Sequence, residues 1–175
     1  MSTMPNPPTR RIPSGGTLER VLELIAVLGM IVCVGSLAAS WHRLPPRVPV
    51  HFGWDGRPDA VGPRSVLLGV AGLCVFIYAL LTVLVRLPWT FKYQGSIAAE
   101  KWYAAYGAVR TMVSACKAFT MVLLAWSEWR AIETALGRAG GLGPLFCPAI
   151  VAFVVGLIAV EIRWARRLRH PQPTR

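Results

Sequence analysis

Ser65–Val85 reads SVLLGVAGLCVFIYALLTVLV, a stretch without a single charge. About 20 residues at 1.5 Å rise cross the ~30 Å hydrocarbon layer of a bilayer, so this stretch decides the solvent of the fold: lipid. Gly69 and Gly72 share one face of such a helix and predict close packing there.

Working outward, the chain holds three more apolar blocks. The first runs over Leu18–Ser40 with an uncharged core from Leu24 to Ala39. Thr17 is its expected N-cap, and Glu19 and Glu23 in the first turns suit the positive end of a helix dipole. The block is too long for the apolar region of a signal peptide, and Ala38-Ala39-Ser40 is a weak cleavage match, so a retained helix is expected. The third block is apolar from Ala108 to Trp126 apart from Arg110 and Lys117, with a lead-in from Ser96 as cap and Glu100 in the first turns. Arg110 and Lys117 are seven apart and share a face. Two readings of Lys117 stand: its stem snorkels to the interface, or its charge faces the bundle interior. The fourth block spans Leu142–Val160, with Pro144 and Pro148 near its start.

Whole-chain composition agrees. Hydrophobic residues make up 54% and charged residues 15%, where soluble domains carry about 25% charge. The net charge of +11 is read as loop charge on one side of a membrane, because no basic patch lies on a soluble fold; nucleic acid is not an expected partner. Cys33, Cys74, Cys116 and Cys147 fall one per block and lack C-x-x-C spacing, which argues for buried apolar roles.

The expected fold is therefore an all-α membrane protein, a four-transmembrane-helix bundle over 18–168. Its spans lie at about 18–40, 65–86, 108–130 and 142–162, with a proline-rich outer loop at 41–64 between helices 1 and 2. A disordered tail (1–17) and a short basic tail (169–175) flank it. Four spans put both tails and the loop between spans two and three on one side. That side carries Arg10, Arg11, Arg20, Arg86, Lys92, Lys101, Arg110, Arg163, Arg166, Arg167, Arg169 and Arg175, against Arg43, Arg47, Arg57, Arg64, Arg130 and Arg138 opposite. The positive-inside rule then expects both termini in the cytoplasm, in a multi-pass protein of the inner (plasma) membrane. Trp41, Trp126 and Trp129 at outer boundaries, and Trp89 and Trp164 at inner ones, suit the same frame; Trp54 sits mid-loop.

The 41–64 loop holds five Pro and three Gly. Residues before Pro are pushed to extended geometry, so its first half should be extended. Asp55-Gly56 signals a turn that Arg57-Pro58-Asp59 continues. Val48, Val50, Phe52 and Trp54 alternate as in a half-buried strand, so the loop should be ordered and packed on the helix ends. His51, Asp55 and Asp59, with Trp54 and Arg64, are the candidate site. His51 and Asp59 can hydrogen-bond loop backbone and brace it, can hold a metal or ligand, or can act in acid–base chemistry. A closed zinc site wants about four ligands, and His42 is the nearest other His, so whether metal binds stays open. No nucleophile motif, phosphate loop or dinucleotide fingerprint is present, so neither catalytic residues nor a cofactor are expected.

Leu44-Pro45, Val48-Pro49, His51-Phe52, Gly56, Pro58-Asp59 and Gly62 resemble the signature of the bacterial membrane-protein family of domain of unknown function 1648. Its members place such a loop between their first two helices. Tyr93, Glu100, Tyr103, Arg110 and Lys117 resemble polar positions on the third helix of longer members. Gly53 stands where a small polar residue often follows the His-aromatic pair, Val61 where an aromatic is usual, and Arg64 where the closing Lys is usual. Some members give immunity to a secreted toxin and relay its presence to a repressor, so the resemblance implies a sensor or immunity role as one option.

Three functions follow as expectations. The first is a non-enzymatic sensor or immunity-type protein that binds an extracytoplasmic peptide or small ligand through the loop. The second is a small transporter or accessory subunit built on Lys117, Arg110 and Glu128, which with four helices requires a homo-oligomer. The third is a metal-dependent membrane enzyme built on His51.

Overall fold

The computed structural model of the chain describes residues 16–86 and 99–169. The expectations for the tail before Gly16, for Trp89 and Tyr93, for a Ser96 cap and for residues 170–175 lie outside them. The described elements are α1 (Thr17–Ser40), a 3-10 turn (Trp41–Arg43), β1 (Arg47–Phe52), β2 (Pro58–Pro63), α2 (Ser65–Arg86), α3 (Ala99–Ala135) and α4 (Phe146–Arg169). Three helices are long and apolar enough to cross a membrane: Thr17–Arg43 with its terminal turn, Ser65–Arg86 and Gly107–Ala135. Phe146–Val160 is a shorter apolar stretch. Leu24, Leu28, Phe76, Leu80, Val155 and Ile158 are all exposed on their helices. Apolar surface of that extent is unsuited to water and suited to lipid.

Helix ends differ from expectation for local reasons. The Gly16 carbonyl accepts the Arg20 N–H at 3.2 Å, so Gly16 rather than Thr17 occupies the cap of α1. α3 runs to Ala135 rather than stopping near residue 130, because its terminator is Gly137. Gly137 has φ +72°, and the Arg138 N–H reaches the Glu133 carbonyl at 2.8 Å while the Gly137 N–H reaches Thr134 at 3.1 Å. That is a Schellman ending, which needs a residue at ease in the left-handed region. α4 begins at Phe146, not Leu142. Pro144 precedes it, and Pro148 falls in the first turn, where a missing N–H is harmless.

The chain divides into two compact units. The first joins residues up to Ser36 with Gly69–Ala125, so it contains parts of α1, α2 and α3. Its core is Ala26, Cys33, Cys74, Ala118, Met121 and Ala125, with Leu22, Met30, Ile77, Tyr78 and Leu124 packed around it. These are mostly small residues, and small residues let helix backbones approach where lipid supplies no hydrophobic drive. The closest approach is at Gly29, where a β-carbon would stand 2.9 Å from the Met121 carbonyl carbon. Gly69 and Gly72 do not serve this purpose: nothing lies within 4 Å of a β-carbon at either. Their shared face reads as a packing stripe, but the tight contact formed on α1 instead.

The second unit joins Leu37–Leu68 with the chain from Trp126. It contains the loop, whose two halves pair as a β-hairpin. β1 and β2 pair antiparallel with Arg47 opposite Pro63, Val48 opposite Gly62 and His51 opposite Ala60, and the register is irregular on both sides of His51. Val48 is fully buried and Val50 and Phe52 partly so, but Trp54 breaks the alternation: it lies in the turn and is 93% exposed. Pro58-Asp59, expected to continue the turn, opens β2 instead. Pro is tolerated as the first residue of a strand because no ladder N–H is needed there.

Candidate functional site

Hairpin geometry begins with its turn. The Gly53 N–H donates to the Arg57 carbonyl and the Gly56 N–H to the Gly53 carbonyl, each at 2.9 Å. Asp55 Oδ1 accepts the Arg57 N–H at 3.0 Å, an Asx arrangement that closes the turn from inside. Gly56 takes φ +75°, where a side chain is disfavoured. From the α3–α4 connection, the Leu142 N–H donates to the Gly56 carbonyl at 2.8 Å. Leu142 is itself fixed by Trp126, whose Nε1–H donates to its carbonyl at 3.0 Å, and Gly141 by Arg130, whose Nε–H donates at 2.7 Å. The turn is thus held by the α3–α4 connection, while Trp54 within it is 93% exposed.

The candidate residues separate into three roles. His51 Nδ1 and Asp59 Oδ1 are 2.6 Å apart across the strands, both well exposed. They therefore meet each other rather than loop backbone. Asp55 closes the turn, and its contact with Arg57 at 3.8 Å is loose and exposed. Arg64 braces the base: Nη1 donates to the carbonyls of Trp41 and Leu44, each at 3.4 Å, and the guanidinium lies 4.7 Å from the Trp41 ring centroid. Among the described residues no group of three or more His, Cys, Asp or Glu comes together. Among the described residues, His51 and Asp59 are thus a pair, where a closed zinc site draws on about four ligands.

A second constellation lies in the helical unit. Lys117 is 2% exposed, so it does not snorkel. Its ammonium pairs with Glu23 Oε2, donates to Thr82 Oγ1 at 3.1 Å and lies 4.9 Å from the Tyr78 ring centroid. Tyr78 donates its hydroxyl proton to Glu23 Oε1 at 2.6 Å. One step along, Arg110 Nε lies 2.8 Å from Glu19 Oε2, and the Thr111 hydroxyl donates to Glu19 Oε1 at 3.2 Å. The two acids are four apart on α1 and the two bases seven apart on α3, spacings that place each pair on one helix face. Both steps advance together, so α1 and α3 run in the same direction here. Sequence reading saw the bases but assigned Glu19 and Glu23 to the helix dipole. The signal was present: two acids and two bases at helical spacing, on separate apolar blocks, each wanting a counter-charge. The turn anchor at Gly141 and Leu142 was missed too, for it is made of backbone.

No curated protein and no solved structure matches the chain. Residues 28–77 match the model of one family, described as domain of unknown function (DUF1648). The matched stretch runs from the middle of α1 through the whole hairpin into α2, and so contains His51, Trp54, Asp59 and Arg64. Residues 28–77 of this chain thus carry a match to that family of domain of unknown function, within a protein that has three helices long and apolar enough to cross a membrane.

Proposed function

We propose that this chain is a multi-pass plasma-membrane protein, not an enzyme, that recognises an extracytoplasmic peptide through its hairpin as a sensor or immunity-type protein. One observation carries the reading: Trp54, 93% exposed, stands on a turn closed by its own hydrogen bonds and anchored by Leu142. Exposed aromatics on rigid supports are the usual anchors of recognition, because little freedom is lost on binding. Beside it the exposed His51–Asp59 pair offers polar contacts. The excess of Lys and Arg on the two tails and the α2–α3 connection supports four crossings with both termini cytoplasmic, α4 being the fourth; the hairpin then faces outward. Extended peptides selected for binding to the purified full-length protein in detergent should lose about 30-fold in affinity on Trp54→Ala, the effect of removing an anchor of ~2 kcal/mol. His51→Ala with Asp59→Ala should weaken them as well. Peptides that bind all these variants like the wild type would sink the reading.

A second reading is favoured by the buried Lys117 network: a small transporter or accessory subunit, working as a homo-oligomer. Ionisable groups at membrane depth are expensive and tend to mark ion or substrate paths. In proteoliposomes, a flux that Lys117→Met abolishes while Trp54→Ala spares would move the conclusion to this reading. A flux indifferent to Lys117→Met would dispose of it.

A further inference from the structure

α3 carries two charged side chains that are buried almost completely, Lys117 and Glu128. They are three helical turns apart and fall on one stripe with Ser114, Ala118, Met121, Ala125 and Ile132, all buried. Lys117 has its counter-charge in Glu23. Glu128 is 1% exposed, and neither of its carboxyl oxygens makes a hydrogen bond among the described residues.

Among the described residues of its unit, the other charged side chains are engaged elsewhere or stand in the open. On α3 itself, Arg130 donates to Gly141, and Glu133 pairs with Arg138 at 3.3 Å. Around the hairpin, Arg64 is held by two carbonyls, Arg43 by the Ala39 carbonyl, Arg57 by Asp55 and His51 by Asp59. His42, Arg47 and Arg163 are exposed. None of these forms an ion pair with Glu128. A carboxylate sealed from water without a partner is among the costliest states a side chain can hold, and no described side chain supplies the counter-charge, so the site calls for a cation.

We infer that Glu128 is an exchangeable cation site in α3, filled by a proton or a monovalent metal ion. This function is separate from hairpin recognition and does not depend on it. A proton-loaded carboxyl in apolar surroundings has a diagnostic reaction with a membrane-permeant carbodiimide. Its O–H adds across one C=N bond: the oxygen bonds to the central carbon and the proton goes to a nitrogen. The O-acylisourea then rearranges to a stable N-acylurea, and nothing is lost.

The test treats the full-length protein in phospholipid vesicles with dicyclohexylcarbodiimide and maps the adduct by mass spectrometry. The expected result is an adduct on Glu128 that is lost in E128Q. Labelling that falls as pH rises and ignores sodium identifies the proton; labelling that added sodium suppresses identifies the metal ion. Either outcome supports the site. Absence of an adduct on Glu128 where other carboxyls are labelled, or labelling indifferent to both pH and sodium, overturns it. E128Q and E128L serve as fold controls, since a neutral side chain removes the need for a cation. Both should melt no lower than the wild type, whereas a large drop in both would mean a paired structural carboxylate and would overturn the proposal.

Discussion

Glu23→Gln should destabilise the helical unit by about 3–5 kcal/mol, while Lys117→Met should cost much less. The two changes cut the same ion pair, but they strand different partners. Without the Glu23 charge, the ammonium of Lys117 stays 2% exposed with only neutral groups beside it among the described residues: the new amide, the Thr82 hydroxyl and the Tyr78 ring. A buried charge without its counter-ion is the expensive remnant of a broken pair. Without Lys117, the Glu23 carboxylate keeps the Tyr78 hydroxyl as a donor, and its side chain is 41% exposed near the start of α1. An acid exposed to that extent is not sealed in the core, so stranding it costs less. The double variant Glu23→Gln/Lys117→Met should recover most of the loss, because no charge is then left buried. Denaturation of the helical signal by SDS, run as a double-mutant cycle, measures all three. Equal costs for the two single variants, or a double variant as poor as their sum, would show that enclosure of Lys117 is not what makes the pair matter.

Gly141→Ala should detach the hairpin turn from its support. Gly141 has φ +136°, a conformation open almost only to glycine, and a β-carbon there would overlap the Gly56 carbonyl oxygen. Backbone strain of this kind costs roughly 1–3 kcal/mol before any displacement is counted. The turn cannot yield in place either, because a β-carbon at Gly56 would meet the Gly143 oxygen at 2.9 Å, which marks how closely the two backbones sit. The relief is separation, with loss of the bond from Leu142 to Gly56. Hydrogen exchange of the amides of residues 53–57 should speed up in Gly141→Ala, and peptide binding through Trp54 should weaken with it. Gly140→Ala is the matched control: nothing lies within 4 Å of its β-carbon, and it should behave as wild type. Unchanged exchange in Gly141→Ala would mean that the turn is held by its internal bonds alone.

Both results separate what could be read along the chain from what could not. The lipid-facing helices were legible because the signal is one of composition and length: an uncharged run such as Ser65–Val85 needs no partner to declare its solvent. The turn at Asp55-Gly56 was legible for a similar reason, since side-chain capping and positive φ are local. The residues of the candidate site, His51, Asp59, Arg64 and Trp54, could be named from residue type. Their assignments could not. Trp54 continues an apolar alternation in sequence, but the reversal at Gly53–Arg57 takes it out of the strand and into the open. The end of α3 at Gly137 was readable in principle, but the span was expected to stop near residue 130.

Sequence alone determined that the chain carries helices long and apolar enough to cross a membrane, because length and composition are local properties. Tertiary structure alone decided which charges meet. Counter-ion choice depends on which helix faces which, a matter of packing between segments about 90 residues apart, and no local propensity encodes it. Tertiary structure also moved the close helix contact from Gly69 and Gly72 to Gly29, and fixed the turn beneath Trp54 by backbone contact with Gly141 and Leu142. Backbone-to-backbone contacts carry no side-chain signature beyond a glycine, and a glycine in sequence does not say what approaches it.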